Sequence, residues 1–100
     1  MYHKIYLEAR RRLIDIWHYT DKTWGEEQAG RYIHGIYKSI EKAANNKHLW
    51  QKVDYEKVKG IFFIRHEYHY IFFRELSGGR LGVVSVLHSQ MDIPNRLIKD

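Results

Sequence analysis

The chain has 100 residues, with 17 Lys/Arg against 12 Asp/Glu, seven His and a formal net charge of +5. That length suits one domain (1–100) rather than two, and the absence of cysteine excludes disulfide frameworks, thiolate metal sites and cysteine nucleophiles. No apolar run approaches the length of a transmembrane helix, and the basic balance favours an acidic partner, either nucleic acid or an acidic protein segment.

Tyr2-His3-Lys4-Ile5 alternates weakly and reads as a short first strand. The opening residues have no sizeable apolar segment and no small-residue cleavage site, so the cytoplasm is the default compartment. From Glu8 the period changes: Ala9, Leu13, Ile16, Trp17, Thr20 and Trp24 form one stripe of an amphipathic helix of about four turns. Gly25 ends it or punctuates a tight corner. A second stripe follows at once through Ala29, Tyr32, Ile33, Ile36, Tyr37, Ile40, Ala43 and Ala44, broken at Asn45-Asn46. Two amphipathic helices with so short a joint are expected to lie as an antiparallel hairpin.

After the polar stretch 47–59, three segments rich in β-branched and aromatic residues read as strands: 61–65, 70–74 and 81–87. Ser77-Gly78-Gly79 marks the second turn, and His66-Glu67-Tyr68 lacks the glycine or proline that would define the first. The expected fold is α+β: a short N-terminal strand, a two-helix antiparallel hairpin, then a three-stranded antiparallel meander with the hairpin laid on one face. Pro94 is expected to open a last helical turn.

Two stretches carry family information. Ile16-Trp17-His18-Tyr19-Thr20, with Trp24-Gly25-Glu26-Glu27-Gln28-Ala29 and Arg31-Tyr32-Ile33, resembles the helix-hairpin signature of ParE-type toxins in the RelE/ParE superfamily. Val86-Leu87-His88 and Met91-Asp92-Ile93-Pro94 resemble the end of that family's last strand and its tail, and Gly60 and the run 69–74 match the strands between. The chain departs from the family at Tyr6, where a Ser or Thr helix cap is usual, at Asn46-Lys47, where Asn-Pro is common, and at Glu67, where Gly is common. The resemblance implies a toxin that inhibits DNA gyrase by binding and is neutralised by a ParD-like antitoxin with a segment that folds on binding. An aromatic, basic groove beside the hairpin would suit such a segment.

Several residues are candidates for these roles. Arg10-Arg11-Arg12 reads either as a solvated helix face or as contact with an acidic partner. Three cations near a helix start oppose the dipole, by roughly a few tenths of a kcal/mol each. In the tail, Met91, Ile93 and Leu97 read as a gyrase contact or as closure of the core against the sheet. The RelE branch of the superfamily instead cleaves messenger RNA on the ribosome. For that chemistry Arg65, Arg74 and His88, with Tyr70, have the right types to hold phosphate and move protons. Direct nucleic-acid contact is the less favoured use of the charge, and the strand aromatics read as core before they read as a stacking platform. No histidine pair has the helical i,i+4 spacing of a zinc site, and His66 and His69, three apart on one extended strand, would face opposite ways. No metal, cofactor or membrane contact is expected.

Overall fold

The structure is a computed structural model that describes residues 3–91 and 93–99. Tyr2, Asp92 and Asp100, which the sequence reading includes in its first strand and tail, lie outside the described residues. The elements are β1 (His3–Ile5), α1 (Leu7–Trp24), α2 (Glu26–Asn45), a 3-10 turn (Lys47–Leu49), β2 (Gln51–Lys52), β3 (Phe62–His66), β4 (His69–Glu75), a second 3-10 turn (Ser77–Gly79), β5 (Leu81–His88) and α3 (Ile93–Lys99).

The helical hairpin forms as the periodicity predicts. Its joint is the single residue Gly25, at φ +99° and ψ 163°, which accepts no side chain without strain. The Gly25 N–H donates to Asp21 O, and its carbonyl accepts from Ala29, so one glycine closes α1 and opens α2. At the other end of α1, Tyr6 makes no side-chain cap. Ala9 and Leu13 of α1 meet Ile36, Ile40, Ala43 and Ala44 of α2 over the sheet residues Ile64, Ile71, Phe73, Leu81, Val83 and Val86. Two members of the predicted stripes are exposed, Trp24 at 72% and Tyr37 at 39%. Each lies at the margin of its stripe.

The expected three-stranded meander needs correcting. β3, β4 and β5 do form one, but the sheet has five strands in the order β1-β5-β4-β3-β2 and is mixed. β1 runs parallel to β5, with His3 opposite Leu81 and Ile5 opposite Val83. The whole helical hairpin and meander lie between them, which supplies the long connection a parallel pair requires. β2 adds an antiparallel edge, Gln51 opposite Phe63 and Lys52 opposite Phe62. Its pairing uses backbone alone, so its polar side chains gave no hydrophobic signal.

Trp50 locks the end of α2 to the sheet. Its indole N–H donates to Ala43 O at 2.8 Å, beside the Asn46 N–H that the same carbonyl accepts at 3.1 Å, and its ring packs on Phe62 and Phe73 at 5.4 and 5.0 Å. The tail carries a full short helix rather than one turn, with Pro94 in its first turn where a missing N–H costs nothing. No helix among the described residues is long and apolar enough to cross a membrane.

Candidate functional site

The end of the sheet nearest α1 gathers three histidines in a row across three strands. His66 and His69 sit directly opposite each other, because the β3–β4 hairpin turns on only Glu67 and Tyr68, and His69 is in turn opposite His88. The expectation that His66 and His69 face opposite ways on one strand is therefore corrected: they lie on two strands and share a face. Glu67 takes φ +48°, an uncommon conformation for a residue with a side chain, at the tip of this hairpin.

A bulge places the third histidine. Phe72 pairs with Ser85 while Phe73 pairs with Val83, so Val84 is an extra residue in β5. The alternation flips there. Leu81 and Val83 face the helices before it, and Val86 and His88 after it.

The row is tied to α2 by hydrogen bonds. The Tyr32 hydroxyl bonds His69 Nδ1 at 2.6 Å and lies 3.4 Å from the His66 carbonyl. Ser39 Oγ bonds His66 Nδ1 at 2.9 Å, and Gly35 gives that ring room to approach the helix. At the other end Gln90 N–H donates to His88 Nδ1 at 3.1 Å, which leaves the His88 ring proton on Nε2. Burial lowers the His69 pKa to about 4, with smaller contributions from the neighbouring His88 and His66, so this imidazole is neutral near pH 7. Burial also raises the Tyr32 phenol above its usual value.

Between this row and α1 opens a cavity of about 340 Å³. Ile16, Thr20, Tyr32, His69, Val86 and Met91 are among its walls. Tyr19 and Tyr68 stand at it, residues 70% and 64% exposed. On the opposite flank of α1, Arg10, Leu13, Ile14 and Trp17 form a shallower groove with Ile33 and Tyr37 of α2.

The arginine run is distributed over both depressions. Arg10 lies at the hairpin groove, its Nε donating to Ile5 O at 3.3 Å. Arg11 is exposed on the ridge, and Arg12 lines the cavity, half-buried, with Glu8 at 3.5 Å. In the tail, Met91 borders the same cavity, whereas Ile93 packs beside Phe63, Tyr70 and Phe72 on the far face of the sheet. Leu97 is half-buried.

The nuclease candidates are not brought together. Arg65 is opposite Tyr70, over whose ring it lies at 5.3 Å, and Tyr70, Phe72 and Arg74 alternate with the core residues of β4. Arg65 and Arg74 thus share the face away from the helices, about 13 Å apart along the strand at ~3.3 Å per residue. His88 is on the helix face. Among the described residues no group of three or more His, Cys, Asp or Glu is arranged to hold a metal ion. The residues that the sequence reading missed are Tyr32, Tyr68 and His69. A two-residue hairpin between His66 and His69 was the one available signal.

A family model described as the ParE toxin of type II toxin-antitoxin system, parDE, matches residues 4–93. Toxin ParE1 of Mycobacterium tuberculosis strain H37Rv is 33% identical over 89 residues, covering 89% of this chain and 90% of that protein. Toxin ParE of Escherichia coli is 32% identical over 90 residues, covering 90% and 86%. Among solved structures, one titled chromosomal ParDE TA system from P. aeruginosa superposes with a TM-score of 0.73, covering 88% of this chain and 95% of that one. Its identity is 18%, so that likeness speaks for the fold alone.

Proposed function

This chain belongs to the ParE toxin family of type II toxin–antitoxin systems, and from that premise we propose that it poisons DNA gyrase in the cytoplasm by binding, without turnover of its own. The observation that carries the reading is the family match across residues 4–93. The register supports it from another side. RNA cleavage needs a proton acceptor, a phosphate-holding cation and a proton donor around one phosphodiester. The sheet instead lies between His88 and the pair Arg65 and Arg74.

A ParD-like antitoxin is the second partner in this reading. The hairpin groove suits an amphipathic acidic segment of it: Ile14 is 55% exposed beside Trp17, Ile33 and Tyr37, and Arg10 stands at the edge. Met91, Ile93 and Leu97 are proposed as gyrase contacts, supported by their place in a short tail that leaves the sheet.

Pulse-labelling of DNA and protein synthesis after inducing the chain without antitoxin tests the target. Arrest of DNA synthesis first, with cleaved DNA accumulating when purified gyrase is added to the protein, is the expected result. Arrest of translation first would overturn the gyrase reading.

A further inference from the structure

The sheet face away from the helices carries a pocket lined by Val53, Asp54, Phe63, Tyr70, Phe72 and Ile93, of which the proposed gyrase contacts use only Ile93. We infer that this pocket is a binding site for one small organic ammonium ion, a freely diffusing quaternary or alkyl ammonium of about the bulk of choline. Register brings the rings together. Tyr70 and Phe72 are two apart on β4, and Phe63 lies directly opposite Phe72, so all three project from one face. Their centroids stand 5.6, 6.1 and 6.2 Å apart, and their planes are inclined by 84°, 44° and 45°. Rings so inclined form a cup rather than a flat stack. Phe72, 3% exposed, is its floor, and the half-buried Phe63 and Tyr70 are its walls. A point about 4 Å above the centre of such a triangle is roughly 5.3 Å from each centroid, inside the ~6 Å reach of a cation–π contact.

The rim sets the charge of the occupant. Asp54 stands at the pocket in the loop after β2. Two backbone bonds hold that loop, Val53 N–H donating to Ile61 O at 3.0 Å and Val58 N–H to Tyr55 O at 2.9 Å. Among the described residues the Asp54 carboxylate makes no ion pair and no side-chain hydrogen bond. Aromatic faces are electron-rich, so an anion is repelled by the rings and by Asp54 alike. A neutral apolar group that covered the carboxylate would strip its water and return nothing. A cation with apolar substituents satisfies both the rings and the carboxylate.

The same ring system already holds one cation. The Arg65 guanidinium lies over Tyr70 at 5.3 Å, while its Nε donates to Glu67 O at 2.8 Å at the hairpin tip. Size narrows the choice further. At about 240 Å³ the pocket falls below the range of about 300–1,000 Å³ usual for ligand clefts, so it suits a compact ion and not a nucleotide or a peptide. The net charge of +5 and the nearby Arg65 oppose entry of any cation, so the affinity expected is of the order of millimolar. An ion held here touches the loop at Asp54 and the start of α3 at Ile93, and so fastens the tail to the sheet.

The test titrates choline into the isotope-labelled protein at constant ionic strength, and in parallel its neutral analogue in which carbon replaces the nitrogen. Choline is expected to shift the amide signals of Val53, Phe63, Tyr70 and Ile93, and the neutral analogue to bind about fivefold more weakly or worse. Two exposed substitutions that leave the rings in place should act with opposite signs. Asp54→Asn should weaken choline binding about fivefold, and Arg65→Gln, which removes the neighbouring like charge, should tighten it. Equal binding of choline and its neutral analogue overturns the inference, as does an affinity unchanged by Asp54→Asn. The absence of any shift at tens of millimolar choline overturns it too, and so do shifts centred on the exposed Glu26 and Glu27 instead. Tighter binding of Nα-acetyl-lysine methylamide than of choline would place a partner's lysine in the pocket and overturn the assignment to a free ion.

Discussion

Two glycines in α2 should respond to alanine with opposite signs. Both are helical, so alanine offers each about 0.5–1 kcal/mol from reduced backbone freedom in the unfolded chain. At Gly30 a Cβ meets nothing within 4 Å, and the whole gain should appear. At Gly35 the Cβ would lie 2.9 Å from both Cε1 and Nε2 of His66. That ring has little freedom to retreat, being held by Ser39 Oγ at 2.9 Å and facing Glu67 Oε2 at 3.3 Å. Displacing it gives up about 1 kcal/mol of hydrogen bonding and adds about 1–3 kcal/mol of overpacking. The net expectation for Gly35→Ala is a loss of about 1–3.5 kcal/mol, or roughly 4–28 °C in Tm for a domain of this size. Gly30→Ala should raise Tm by a few degrees. Thermal melting followed by circular dichroism reads both, and the decisive arm repeats Gly35→Ala in a His66→Ala background. There the obstacle is gone and the substitution should become neutral or stabilising. If Gly35→Ala raises Tm as much as Gly30→Ala does, the close approach of α2 to the histidine row is wrong.

Other expectations follow from single residues. Gly25→Ala should cost about 1–3 kcal/mol with no clash involved, because the backbone conformation alone excludes a side chain; a melt within a degree of wild type would contradict it. Trp50→Phe keeps an aromatic ring but removes one of the two donors to the Ala43 carbonyl, the Asn46 N–H remaining at 3.1 Å, a loss of about 1 kcal/mol that urea denaturation would register as a lower midpoint at unchanged slope. His69 has a folded pKa of about 4, below its unfolded value of 6.5, so the folded state binds fewer protons between those limits. Its contribution is complete above about pH 6.5 and is lost as pH falls towards 4. Because the ring is partly open to solvent, the loss is discounted to an order of 1–2 kcal/mol. Melts from pH 7.5 to 4.5 should fall more steeply for wild type than for His69→Asn, and parallel slopes would refute the assignment.

The parts of the fold that were legible are those whose signal is local. The hairpin stripes from Ala9 to Thr20 and from Ala29 to Ala44 predict which faces are buried, because helical periodicity is written into consecutive residues. The three long strands were legible for the same reason. β1 was foreseen as a strand, but its parallel partner was not, since nothing near His3 specifies Leu81. β2 was invisible because Gln51 and Lys52 pair through backbone groups only. The candidate site suffered most from this. It depends on a two-residue turn with Glu67 at positive φ, where pattern favours glycine, and on a bulge at Val84 that reverses the facing of every residue after it. Neither leaves a mark in hydrophobic patterning, so the histidines were placed on the wrong faces and Tyr32 was read only as part of a stripe.

The pairing of β1 with β5 has a consequence for when this protein exists as a folded object. His3 and Leu81 are partners 78 positions apart (81 minus 3), so the first strand made cannot find its neighbour until four-fifths of the chain has been synthesised. At roughly 5–20 residues per second, that wait is about 4–16 s. During it, α1 and α2 can close on each other through contacts local in sequence, while β1 has no edge to join. The sheet is therefore completed from its last strand back to its first, and a nascent chain stopped short of β5 holds a helical hairpin but no finished histidine row. A sheet built in this order is whole only once β5 has been made.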